Sequence, residues 1–169
     1  MTPDPTAAIR ADLAAHPGAA LEDVAQRTGT TPADVLACLP EDEAIRLPGS
    51  LFVDVMAEIS TWGEVTLVVN TGDVILEARG EVPMGRLGHG FYNLHGSPIG
   101  GHLRADACAT VAFVTRSLFG TPTRSVQFYA HSGAGMFKVY LGRGADRQLI
   151  PAQVAAFEAA LARFSQVAA

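Results

Sequence analysis

The sequence predicts an α+β fold: a largely antiparallel, curved β-sheet flanked by two helices, preceded by a helical N-terminal segment. Three observations lead there. Apolar residues recur at helical spacing up to residue 63 and again after residue 150. Between them they alternate or run as β-branched stretches, and the links between those stretches are turn residues rather than crossover helices. Finally, 169 residues, 49% apolar and 17% charged, can bury one real core without disulfide or metal staples.

The helical segment comes first. Ile9 and Leu13 lie four apart, and His16-Pro17-Gly18 breaks the helix that holds them. Leu21, Val24, Ala25 and Thr28 follow at helical spacing as far as Gly29. Thr31-Pro32 has the form of an N-cap and first helical position, leading into Val35, Leu36 and Leu39 before Pro40. The second and third helices together have the outline of a helix-turn-helix. A recognition helix must offer Arg, Lys, Asn or Gln to base edges, whereas this one carries Asp34 and no cation. With a net charge of -5, no nucleic-acid partner is expected, and the helices are read as an accessory segment.

Glu41 to Pro48 is polar and ends in Pro-Gly, which reads as a junction, dividing the chain into a helical segment, 1–47, and an α+β domain, 48–169. Ser50 then caps a helix with the inner stripe Leu51, Val55, Ile59 and Trp62, ended by Gly63. Val65 to Val69 and Val74 to Ala78 form a hairpin around Asn70-Thr71-Gly72-Asp73. Arg79 to Gly101 is interrupted by glycines at 80, 85, 88, 90, 96, 100 and 101, a loop of the kind that carries function. Cys108 to Arg116, Arg124 to His131 and Met136 to Leu141 are further strands. In the last two, Val126, Phe128, Phe137 and Val139 face a core, while Ser125, Gln127, Tyr129, Lys138 and Tyr140 face the other way. That mixed face suits a ligand or a partner subunit. Pro151 opens a closing helix with the stripe Val154, Phe157, Leu161 and Phe164.

The opening Met1 to Pro5 lacks a basic region and apolar run, and no apolar stretch approaches the ~20 residues that span a bilayer. A cytoplasmic protein without a membrane partner is expected. Cys38 and Cys108 have neither CxxC nor metal-finger spacing and read as reduced thiols.

The most informative window holds His89, His95 and His102 with Tyr92, Arg86 and Arg104. Histidine and tyrosine ligate haem iron, arginine pairs with carboxylates, and glycine lets a flat macrocycle approach the backbone. The same residues are also what a glycine-rich surface loop collects without any ligand. For zinc, the three histidines lack an i, i+4 pair and an intervening carboxylate. No GxSxG, GxGxxG or P-loop is present, and Lys138, the only lysine, lies in a strand.

Taken in order, Trp62-Gly63-Glu64-Val65-Thr66, Asn70-Thr71-Gly72-Asp73-Val74, Gly90-Phe91-Tyr92-Asn93-Leu94-His95-Gly96, Gly101-His102-Leu103-Arg104, Ser125-Val126-Gln127-Phe128-Tyr129, Met136-Phe137-Lys138-Val139 and Leu141-Gly142-Arg143 resemble the HutX/ChuX family of intracellular haem-utilisation carriers. The likeness runs over nearly the whole chain. It implies a fold like one half of the doubled HemS-type proteins, a homodimer that mimics the doubled chain, haem as cargo, and its delivery to a haem-degrading partner. No catalytic residue is implied. The alternative, a haem-degrading or haem-modifying enzyme, rests on relatives of the same general fold. Carried over residue by residue, the resemblance makes Tyr92 the expected phenolate ligand of ferric haem and His102 a second ligand or hydrogen-bond partner. Arg104 or Lys138 would neutralise propionates, with His89 and His95 as further candidates. Asn70 departs from members with histidine at that hairpin position and is a poor iron ligand.

Overall fold

The computed structural model describes residues 4–169, so Met1, Thr2 and Pro3, read above for a leader, lie outside the described residues. Three helices, α1 (Pro5–Ala15), α2 (Leu21–Thr28) and α3 (Pro32–Ala37), lie where helical spacing placed them. Their boundaries have chemical causes. The Asp4 carboxylate accepts the Thr6 N–H at 3.0 Å, and Gly29 ends α2 in the left-handed region at φ 68°. Thr31 and Asp34 satisfy each other's backbone N–H groups in a capping box before α3.

The strands are β1 (Ala44–Pro48), β2 (Glu64–Asn70), β3 (Ile75–Glu81), β4 (Arg86–Gly88), β5 (Phe91–Leu94), β6 (Gly101–Leu103), β7 (Cys108–Leu118), β8 (Thr121–Ala130) and β9 (Gly135–Tyr140). Helix α4 (Phe52–Ile59) precedes β2, and α5 (Pro151–Ala168) closes the chain. Six strands form one antiparallel sheet in the order β1-β7-β8-β9-β2-β3, and β4, β5 and β6 form a second, small antiparallel sheet.

Three local expectations change. The stretch read as a polar junction contains β1, with Ile45 opposite Phe113 and Leu47 opposite Val111. Two inward apolar residues are too short an alternation to reveal a strand. Ser50 is exposed within the 3-10 turn Gly49–Leu51, and α4 begins without a side-chain cap. The stretch read as one loop from Arg79 to Gly101 first extends β3 to Glu81 and then supplies β4, β5 and the first residue of β6.

The two faces of the large sheet meet different layers. On the first face Val65, Val111, Phe113, Val126 and Phe128 pack against Val55 and Ile59 of α4, Phe157 and Phe164 of α5, and Tyr92 and Leu94 of the small sheet. Phe128 stacks on Phe137 with ring centroids 4.4 Å apart. On the second face Ala44, Ala112, Val114 and Tyr129 meet Ile9, Leu21, Val24, Val35 and Leu36 in a separate core. Each such large side chain contributes about 1.5–3 kcal/mol on burial. The helical segment therefore spends its apolar faces on the sheet. The second face, expected to await a ligand or partner, is half covered: Ser125, Gln127 and Tyr129 are buried, with Gln127 donating to the Ser125 hydroxyl at 2.9 Å and the Tyr129 hydroxyl donating to the Gln127 side-chain carbonyl.

Neither cysteine is paired. Cys38 is half-buried, whereas burial pushes the Cys108 thiol up to about 11. The thiolate is the reactive species, so a thiol-selective reagent at pH 8 is expected to modify Cys38 in the native protein and Cys108 only after denaturation. Two reactive thiols before denaturation would contradict this packing.

Candidate functional site

Strands β4, β5 and β6 bring one row of side chains together: Arg86 lies opposite Asn93, and Asn93 opposite His102. Period-2 alternation puts Tyr92 and Leu94 into the core and leaves Phe91 and Asn93 on the outer face. Gly88 stands opposite Phe91 and adds no side chain to crowd that face.

The Asn93 amide is fixed by its surroundings. Its Nδ2 donates to the carbonyls of Arg86 and Gly88 at 3.1 Å and of Phe91 at 3.2 Å, so its Oδ1 must be the atom 2.6 Å from His102 Nδ1. A carbonyl oxygen only accepts, which puts the imidazole proton on Nδ1. In the neutral ring Nε2 then carries the lone pair, and it has no hydrogen-bond partner among the described residues. Metal-ligating histidines are commonly held in this way, one ring nitrogen tied down and the other open. Beside it, Phe91 meets the His102 ring edge-on at 5.9 Å, and the Arg104 guanidinium lies 4.7 Å above the Phe91 ring. Arg86 and Arg104 are both exposed, and neither is paired with a carboxylate among the described residues. A polarisable flat face, a lone pair and two free guanidinium groups are thereby displayed on one outer surface.

Four of the residues singled out in the sequence are not gathered there. Tyr92 is 1% exposed; its ring meets Phe52 edge-on at 5.9 Å, and its hydroxyl accepts the Gly85 N–H at 3.0 Å. The expected phenolate ligand is therefore part of the core. The position before it, Phe91, is the one that faces outward. Lys138 is 6% exposed and lies on the far face of the large sheet, with Nζ 2.8 Å from each oxygen of Glu22. Its charge is already matched, so it is not free for a propionate. Burial lowers the Lys138 pKa and the adjacent Glu22 opposes that shift. His89 sits exposed in the turn between β4 and β5 at φ 54°, and His95 is exposed just beyond β5. Among the described residues no group of three or more His, Cys, Asp or Glu side chains could hold a metal ion.

Asn93 is the residue that sequence reasoning passed over. Its signal was the alternation Phe91-Tyr92-Asn93-Leu94, which becomes legible only if the glycine-rich stretch is treated as a strand.

Comparison with known proteins places these features in context. The family model described as haem utilisation ChuX/HutX matches residues 45–160. The intracellular heme transport protein HutX of Vibrio cholerae is 33% identical over 138 residues, which cover 80% of this chain and 72% of that protein. The solved structure of the heme-binding protein ChuX is 37% identical with a TM-score of 0.83, over 93% of this chain and 99% of that one. The Escherichia coli O157:H7 heme-degrading enzyme ChuS shares the fold alone, at 15% identity and a TM-score of 0.68, with 81% of this chain covering 41% of that one. The α+β fold is thus that of one half of a doubled protein. No helix among the described residues is long and apolar enough to cross a membrane.

Proposed function

The chain belongs to the haem utilisation ChuX/HutX family, and from that premise we propose that it is an intracellular haem carrier, not an enzyme. The observation that carries this reading to particular atoms is the tie between His102 and Asn93, which leaves Nε2 open as an iron ligand. Haem would lie on the outer face of the small sheet with Phe91 beside the macrocycle and its propionates within the reach of Arg86 and Arg104. Carboxylates attract guanidinium groups strongly when the pairing is bidentate.

This face is a single wall. A flat cargo has two faces, so a second copy of the chain is the natural cover, and a homodimer is part of the proposal. A single histidine ligand per haem would suit release to a haem-degrading partner better than permanent retention. Tyr92 takes the supporting role: its ring and hydroxyl seat β5 against Phe52 and Gly85.

A hemin titration followed by absorption spectroscopy tests the assignment. One haem per chain is expected. His102→Ala should lose the ligand-dependent bands, and Tyr92→Phe should keep them. Asn93→Ala, which removes the group orienting His102, is expected to weaken binding by about 10–100-fold. With a reductant and oxygen the Soret band should persist. An unchanged spectrum in His102→Ala sinks the ligand assignment, and conversion of bound haem to an open-chain product sinks the carrier reading.

A further inference from the structure

The two edges of the six-stranded sheet are finished differently. β1 is five residues long, ends in Pro48 and lies against α5. β3, at the other edge, is seven residues long, and its outer side has no strand beside it among the described residues. Its register against β2 runs without a shift from Glu64 opposite Glu81 to Asn70 opposite Ile75. Neither proline, lysine nor a bulge interrupts β3, and those are devices that keep an open edge from pairing.

The first end of this strand is apolar where it meets solvent. Val74, Ile75 and Leu76 are 50%, 61% and 64% exposed. Alternation sends Ile75 and Leu76 to opposite faces of the sheet, so a layer packed on either face would cover only one of them. A strand added at the edge reaches both.

The charges on β3 select a second copy as that strand. A strand pairs antiparallel with its own copy about a two-fold axis perpendicular to the sheet, and that axis keeps each face on its own side. Residues directly opposite each other point to the same face, so only residues of like parity can meet. Centred on Glu77, the pairing sets Glu77 against itself. Centred on Arg79, it sets Arg79 against itself and Glu77 against Glu81. Centred on Ala78, it sets Glu77 against Arg79 twice and pairs all seven residues.

The apolar side chains fit the same register, in which Leu76 faces Gly80. A Cβ on Gly80 would come within 2.8 Å of the Pro98 ring, so that ring occupies the side-chain position there, and Pro98 is itself exposed. Leu76 of each copy then meets Pro98 of the partner subunit, and Ile75 faces Glu81. Glu77 and Arg79 are both exposed. Arg79 Nε donates to Glu64 at 2.7 Å, which leaves the terminal nitrogens of its guanidinium for a second carboxylate.

We propose that β3 is a self-pairing edge: two copies join antiparallel through it, centred on Ala78, into one continuous sheet with six strands from each. The proposal rests on the reading above in taking a second copy as the partner, and it supplies the contact that joins the copies. Because the small sheet follows β3 and packs on the first face, both small sheets come to lie on the same side of the joined sheet.

Sedimentation velocity of the full chain without haem, at micromolar concentrations, tests it. A dimer is expected. Glu77→Arg and Arg79→Glu, each of which sets like charges face to face, should weaken it by roughly tenfold or more. The two changes move the net charge in opposite directions, so weakening by both marks the contact itself. An equimolar mixture of the two variants should associate, since each supplies the charge the other lacks, and the double variant Glu77→Arg/Arg79→Glu should pair as the wild type does. Circular dichroism should show the fold unchanged throughout, because both side chains are exposed in the single chain. A monomeric wild type overturns the proposal, as does a dimer indifferent to the single changes or one that neither the mixture nor the double variant restores. Hemin titration keeps the two readings apart: a monomer that binds haem through His102 removes the pairing alone, and a dimer paired through β3 that binds no haem removes the carrier reading alone.

Discussion

Glu22→Ala is expected to destabilise the protein by about 3–5 kcal/mol in denaturant unfolding, because it leaves the Lys138 ammonium buried without its counter-charge. Both side chains are less than a tenth exposed, and they join α2 to β9 across the floor of the second face. Lys138→Met alone should cost a comparable amount by stranding the carboxylate. The double variant Glu22→Leu/Lys138→Met should recover most of the loss, since apolar residues of similar volume often replace a buried pair at little cost. The sign of the coupling is the informative part. Single changes that each cost less than about 1 kcal/mol would mean that water entering from the second face solvates the survivor.

Gly49→Ala is the second large effect. A Cβ at residue 49 would overlap the Cys108 carbonyl and crowd the backbone of Ala109. The obstacle is main chain at the start of β7, so rotamer changes cannot relieve it. We expect a loss of about 3 kcal/mol or more, with a lower denaturation midpoint and an unchanged slope. Ser50→Ala next door is the control: Ser50 is exposed and caps nothing, so its replacement should shift stability by less than about 0.5 kcal/mol. Equal effects at the two positions would show that the 3-10 turn, rather than the close approach of Gly49, carries the constraint.

The elements with clean periods were legible from the sequence. The stripes of α2, α4 and α5 and the alternation in β8 and β9 each bury one face, and burial is what periodicity records. β1 was hidden because an edge strand of five residues needs only two inward side chains. The small sheet was hidden because glycines interrupt its alternation while its backbone remains extended. At the candidate site, His102 and Arg104, singled out from the sequence, lie together beside Phe91. Tyr92 was carried over from the family motif, yet strand parity decides which ring faces out, and the hydroxyl is satisfied inside by Gly85. Lys138 looked available because its partner lies 116 positions away, a distance no local pattern spans.

β7 and β8 are a party wall between two interiors. Val111, Phe113, Val126 and Phe128 seal one side of these strands, and Ala112, Val114 and Tyr129 seal the other. Loosening either layer alone leaves their amides screened by the layer that remains. Deuterium should therefore enter this strand pair last of all, on the timescale of complete unfolding, and the helical segment behaves as structural cladding whose loss the sheet would feel at its centre rather than at its edge.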